Sequence, residues 1–181
     1  TPYYFRVKAI NTNNQAGEYS SQVTATPEYQ GPDWYVALAA SGGSASNEGS
    51  SNSPMLNLTD AVTAASTGHT IHIAAGTYTF TSASEGNITF DGSKTLVIKG
   101  AGAATTIIDA NQKHRHFYFT ASSNGTLLDT TFKIMDLTLK NGRPQSNDHG
   151  GSVYMNGYHT SNYGYKGHSP LFQNVVFQSN Q

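Results

Sequence analysis

The sequence predicts an all-β protein built from many short strands, with a single helix near residue 60 and stacked repeats after it. Three observations carry this expectation. Ser, Thr and Asn account for 55 of the 181 residues and Gly for another 18, while charged residues are only 12%, about half the share usual in globular domains. β-Branched Thr suits a pleated surface, and Asn, Ser and Gly suit turns. Helical spacing is convincing in one stretch only, and a short motif of two alternating apolar residues followed by a polar turn recurs along the second half of the chain.

The chain opens with an alternating run. Tyr3, Phe5, Val7 and Ala9 fall on one face, with Tyr4, Arg6 and Lys8 mostly on the other. A turn rich in Asn and Gly follows, then a second alternating run from Val23 to Pro27. These read as two strands of a hairpin (residues 1–27), joined by a linker (28–33) to a unit covering 34–181. A lone hairpin is marginal in water, so the pattern predicts a piece of a longer protein, truncated at both ends. Such a piece is expected to self-associate through unpaired β-structure.

The second unit begins with a strand over 34–39 and a Gly/Ser loop. A helix follows, with Leu58, Ala61, Val62 and Ala65 on one face, Asn57 as N-cap, Asp60 three residues on, and Gly68 as terminator. Beyond it the motif recurs as "TIHIAAG" (70–76), "TLVIKGAG" (95–102), "DLTLKNG" (136–142) and "NVVFQSN" (174–180). The apolar pairs are Ile71/Ile73, Leu96/Ile98, Leu137/Leu139 and Val175/Phe177. Unequal spacings fit coils that carry loop insertions. "TTIIDA" (105–110), "HFYFTA" (116–121) and "GGSVYMNG" (150–157) are further strands. A series of stacked coils needs its open end covered, and one amphipathic helix ahead of the repeats does that.

Two resemblances sharpen this reading. Tyr3-x-Phe5-x-Val7-x-Ala9-x-Asn11, Gly17 and "YSSQVTATP" resemble the last two strands of a fibronectin type III domain, with Tyr3 as the corner tyrosine of such sandwiches. The alternative is an ordinary hairpin packed on the second unit. Trp34–Val36, the loop "SGGSASNEGS", Ser53–Pro54, the helix and Gly68-x-Thr70-Ile71-x-Ile73-Ala74-x-Gly76-Thr77-Tyr78 resemble the N-terminal cap and first coil of a right-handed parallel β-helix (solenoid) of the pectate-lyase-like superfamily. His69 departs from that pattern, where members often carry Asp. Gly150, Gly151, Val153, Phe177 and Asn180 also resemble the repeats of adhesin-type β-helices.

Functional candidates are few. Lys113, His114, Arg115 and His116 cluster before a strand, as a cationic cleft for an acidic sugar or as a solvated turn. Asp109 faces that cluster or bonds its own turn. Arg143, Asp148 and His149 share a loop. A calcium site joining Asp136 and Asp148 would need more oxygen ligands than these supply. Tyr158, His159, Tyr163, Tyr165 and His168 could stack on sugar rings or coat a loop. Asn57-Leu58-Thr59 and Asn87-Ile88-Thr89 match a glycosylation sequon, meaningful only in a eukaryotic secretory context. The formal charge of −1 gives no reason to expect nucleic acid. No apolar run reaches the ~20 residues of a membrane span, so insertion of this segment is not expected. With no cysteine, disulfides and thiolate metal sites are excluded.

No catalytic residue, cofactor or metal ligand is assigned within the chain. The resemblance implies that calcium or catalytic groups of a full-length enzyme would lie on later coils. Two functions follow as expectations. One is a secreted or cell-surface β-helix protein with a structural, adhesive or carbohydrate-interacting role, its partner a polysaccharide or cell-surface glycan. The other is the N-terminal portion of a polysaccharide lyase or glycoside hydrolase whose active site lies downstream.

Overall fold

A computed structural model describes residues 2–25, 27–121, 126–145, 148–160 and 164–181 of the chain. These residues are mostly β, with one α-helix. The N-terminal part is an antiparallel hairpin of β1 (Tyr3–Phe5), β2 (Lys8–Ile10), β3 (Ala16–Tyr19) and β4 (Val23–Ala25), with β1 paired to β4 and β2 to β3. Asn11 builds the turn. Its Oδ1 accepts from the amides of Asn13 at 3.0 Å and Gln15 at 2.9 Å, a habit of Asn in turns. The single alternating strand expected from residue 3 is two strands, because the ladder breaks at Arg6 and Val7, where Ser20 Oγ accepts from the Val7 amide. Residues 2–25 are all exposed, so the alternation marks no buried face within this chain.

After the hairpin come β5 (Asp33–Val36), α1 (Leu58–Ala64), β6 (Thr70–Ile73), β7 (Gly76–Thr79), β8 (Ile88–Phe90), β9 (Val97–Gly100) and β10 (Thr106–Asp109). Then follow β11 (Phe117–Thr120), β12 (Lys133–Lys140), β13 (Val153–Asn156), β14 (Tyr158–Thr160), β15 (Gly164–Lys166) and β16 (Leu171–Gln178). Apart from the small antiparallel pair β14–β15, these strands pair in parallel. Three columns result. β5, β6, β9 and the first halves of β12 and β16 pair in succession, as do β7, β10 and the second halves of β12 and β16. β8, β11 and β13 form the third.

Register explains the core. Trp34, Ile71, Ile98, Ile134 and Phe172 stand opposite one another in the first column. Tyr78, Ile108, Leu139 and Phe177 do so in the second, and Phe90, Phe119 and Met155 in the third. Since side chains alternate faces along a strand, each column turns one apolar row into a shared core. Buried residues of all three belong to a single hydrophobic cluster. Exposure rises towards β13 and β16, where Met155, Val176 and Phe177 are 40%, 46% and 51% exposed.

The β5 side is covered instead. Met55 bridges to Val36, and the Ala37 amide donates to the Met55 carbonyl at 2.9 Å. Helix α1 buries Ala61 and Val62 there, with Ala65 just beyond its last turn. Three details differ from expectation. The first strand stops at Val36 and gives way to a 3-10 turn, Ala39–Ser41, rather than continuing to 39. The helix ends at Ala64, well before Gly68, with Ala65 in extended backbone, and the Lys94 ammonium donates to the carbonyls of Val62 (2.8 Å) and Ala65 (2.9 Å) that this end leaves free. Asn57 occupies the N-cap, yet its side-chain amide donates to Asp60 rather than accepting from the helix backbone.

The recurring motif also stacks differently from its sequence order. Leu139 in "DLTLKNG" stands opposite Ile108, in the second column, whereas the residue opposite Ile71 and Ile98 is Ile134. Leu96 precedes β9 and is not in the Ile71 row. The first two columns share the same apolar alternation, so period alone does not say which one a strand joins. Among the described residues no helix is long and apolar enough to cross a membrane.

Candidate functional site

The outward rows are as ordered as the inward ones. In the first column the register aligns Tyr35, His72, Lys99, Met135 and Gln173. Tyr35, His72 and Lys99 line a groove of about 770 Å³, and Ser41, Ser51 and Pro54 contribute to its walls. The Tyr35 and His72 rings stack with centroids 5.0 Å apart and planes 16° off parallel. His72 Nε2 is 2.8 Å from Asp33 Oδ1, which orients the imidazole and leaves its flat body on the strand surface.

The other side of the groove is set by a bend. Asp136 and Asn174 lie at matching positions in β12 and β16, both in left-handed backbone (φ 55° and 51°). Asn and Asp tolerate that conformation better than other residues with a side chain. Each bend lets one strand pass from the first column into the second. It also carries a polar group to the groove, where Asn174 Nδ2 donates to Asp136 Oδ1 at 2.8 Å. Gly100 underlies the bend, since a Cβ there would meet the Asp136 carbonyl oxygen at 2.2 Å. The groove thus offers stacked aromatic surface, an exposed ammonium, one carboxylate and several hydroxyls. That set suits hydroxyl-rich ring compounds, which present apolar faces to aromatic rings and polar edges to hydrogen-bonding groups.

The basic cluster singled out in the sequence is neither a cationic cleft nor a solvated turn. Lys113 is exposed and His114 half-buried, but Arg115 and His116 are 2% and 1% exposed. Arg115 donates to the His149 carbonyl at 2.6 Å and pairs with Asp148. Its guanidinium lies 5.6 Å and 5.2 Å from the rings of Tyr118 and Tyr154, which stack on each other. It therefore ties the loop before β13 to the third column. His116 Nε2 donates to the Ile108 carbonyl at 2.9 Å, while Nδ1 accepts from Ser152 Oγ at 3.0 Å. Burial pushes its pKa down to about 4, despite hydrogen bonding that favours the charged form.

The remaining candidates scatter. Asp109 bonds its own turn through the Asn111 amide at 2.8 Å and also accepts from Asn141. Asp136 and Asp148 have separate partners, Asn174 and Arg115. Among the described residues no group of three or more His, Asp or Glu side chains converges as a metal site would require. Arg143 is exposed. His168 is buried, and its Nδ1 accepts from the Leu128 amide at 3.0 Å. Tyr158 is half-exposed on β14; Tyr163 and the side chains of His159 and Tyr165 lie outside the described residues. His69, the departure from the acidic pattern, accepts from Trp34 Nε1 at 2.9 Å.

Tyr35, His72, Lys99 and Asn174 were not legible as a site, since nothing local sets them apart. The one sequence signal is that each is the residue between apolar neighbours in an alternating strand or at a bend. A family model described as "Protein of unknown function (DUF1565)" matches residues 40–160. No curated protein and no solved structure matches the chain.

Proposed function

This chain belongs to the DUF1565 family, and on that premise we propose that it is part of a secreted or cell-surface scaffold that binds carbohydrate along the first-column groove. In this reading the three columns are the faces of a parallel β-helix of pectate-lyase-like type. Helix α1 and the Met55 segment cap its first rung, and the preceding hairpin ends a fibronectin type III-like unit. Support for the winding comes from chain order: β6, β7 and β8 are followed by β9, β10 and β11, each pairing in parallel with its counterpart one coil earlier, and β12 then pairs with both β9 and β10. The right-handed sense follows the usual preference of parallel crossovers.

The observation that carries the functional reading is the Tyr35–His72–Lys99 row beside Asp136 and Asn174. Strands repeat every ~4.8 Å, about the length of one extended hexose unit, so a linear glycan lying across the strands meets equivalent positions rung after rung. Lys99 favours acidic sugars. A structural or adhesive role fits a groove with a single carboxylate among its described lining residues, because glycoside hydrolysis generally uses two.

Affinity electrophoresis of the chain through gels containing neutral and acidic polysaccharides tests this. Retardation is expected with at least one acidic polymer, with Tyr35→Ala weakening binding about tenfold and Lys99→Ala removing the preference for acidic over neutral polymers. Binding that neither substitution alters would overturn the assignment. The second reading, a polysaccharide lyase or hydrolase with catalytic groups on later coils, is separated by assaying the intact parent protein for reducing ends and unsaturated uronates.

A further inference from the structure

A second concavity lies apart from the groove, between the start of α1 and the corner formed by β7 and β10. It encloses about 310 Å³ and is lined by Leu38, Leu56, Leu58, Tyr78, Phe80 and Ile108, with Glu85 as the one charged residue in its lining. That volume is at the small end of ligand sites. Leu38, Leu56 and Leu58 remain half-exposed around it, with Leu58 also packed against the core. Gly76 lets Leu38 sit close to the strand, as a Cβ there would come within 2.7 Å of Leu38 Cδ1. The Tyr78 hydroxyl turns away to donate to the Ala74 carbonyl at 3.0 Å, so the ring serves as wall.

Glu85 closes a capping box with Ser82 at the 3-10 turn Ala83–Glu85. The amides of Thr81 and Ser82, each at 3.0 Å, and the hydroxyls of Thr81 at 2.5 Å and Ser82 at 3.3 Å all fall on one oxygen, Oε1. Oε2 has no hydrogen-bond partner among the described residues. Burial acts to raise the carboxyl pKa, but the hydrogen bonds from Thr81 and Ser82 outweigh it and hold the group below its ordinary range. The result is a fixed anion at the edge of an aliphatic and aromatic cleft, where a cation of matching shape meets both attractions at once.

We propose that this cleft is a binding site for a small organic cation with an apolar body, such as an aryl- or alkylammonium compound, its ammonium on Glu85 and its body against Leu56, Tyr78 and Phe80. The proposal is independent of the carbohydrate groove. It is tested by fluorine NMR titration of the full chain with 4-fluorophenethylammonium and with the uncharged 2-(4-fluorophenyl)ethanol. The ammonium probe is expected to bind about tenfold tighter than the alcohol, the gain of the charge–charge attraction to Glu85 that a neutral hydroxyl lacks. Glu85→Gln keeps an acceptor for Thr81 and Ser82 and is expected to reduce that gap to less than about twofold. Leu56→Trp is expected to abolish binding of both probes. Should that variant fail to fold, methyl shift mapping on the native chain decides between shifts at Leu38 and Leu56, as expected, and shifts confined to other surfaces. Equal affinities for the two probes, a gap that survives in Glu85→Gln, or no saturable binding would each overturn the assignment.

Discussion

His116 makes the chain's stability fall in mild acid. Its imidazole is 1% exposed and holds the Ile108 carbonyl on one nitrogen and Ser152 Oγ on the other. Protonation would place a charge in the core and take the acceptor from Ser152. With a folded pKa of about 4 against 6.5 for an ordinary histidine, the unfolded chain binds the proton more readily. Stability is therefore complete above pH 6.5 and declines as pH falls towards 4. Each pKa unit is worth 1.36 kcal/mol, so the loss approaches about 3 kcal/mol over that window. His114, half-buried and shifted down by burial beside Arg115, adds in the same direction. Glu85, Asp91 and Asp129, all shifted down, stabilise the fold when ionised and lose that contribution only as pH falls below their ordinary carboxylate range. Trp34, the single tryptophan and a core residue, reports urea unfolding at pH 7.0, 6.0, 5.0 and 4.5. His116→Gln retains a donor for Ile108 and does not titrate. It is expected to cost about 1 kcal/mol at pH 7 and to flatten the profile between pH 6.5 and 4.5. A variant profile as steep as the native one would refute the assignment of the slope to this residue.

Two further substitutions probe the packing. Gly100→Ala drives a methyl into the Asp136 carbonyl and against Leu137 and Thr106, so a loss of about 1–3 kcal/mol in urea unfolding is expected. Gly167→Ala, with open space around it, is expected to be neutral. Arg115→Met keeps a buried stem but removes the ties to His149, Asp148 and the tyrosine pair. It is expected to cost about 1–3 kcal/mol and to speed amide hydrogen exchange at residues 148–152 while leaving 70–73 protected.

The inward half of the molecule was readable from residues because burial imposes a pattern. Ile71 and Ile73 alternate with Thr70 and His72, and Ala61 and Val62 share a helix face, so the strands and the helix follow from local chemistry, while their parallel order is what the resemblance to a β-helix implies. Register did not follow. "DLTLKNG" and "TIHIAAG" look alike, yet one feeds the second column and the other the first, because the bend at Asp136 depends on a left-handed backbone that Asp only permits. The groove stayed hidden for the same reason: from Tyr35 to His72 is 37 residues and from His72 to Lys99 is 27, and they become neighbours only once register is known. The Arg115 cluster misled in the opposite way. Four basic residues in a row suggest solvent, whereas two of them are buried by acceptors from distant segments, His149 and Ile108.

Distances along the outward row of the first column probe the stacking itself. The chain has no cysteine, so spin labels placed at Gln173 and, in turn, at Lys99, His72 and Tyr35 report single pairs. These sites are two, three and four strand spacings from Gln173, so backbone separations of about 10, 14 and 19 Å are expected. The label-to-label distance should lengthen by about 5 Å with each step. A series that stays flat, or that shortens from Lys99 to Tyr35, would mean that these strands are not consecutive rungs of one parallel stack.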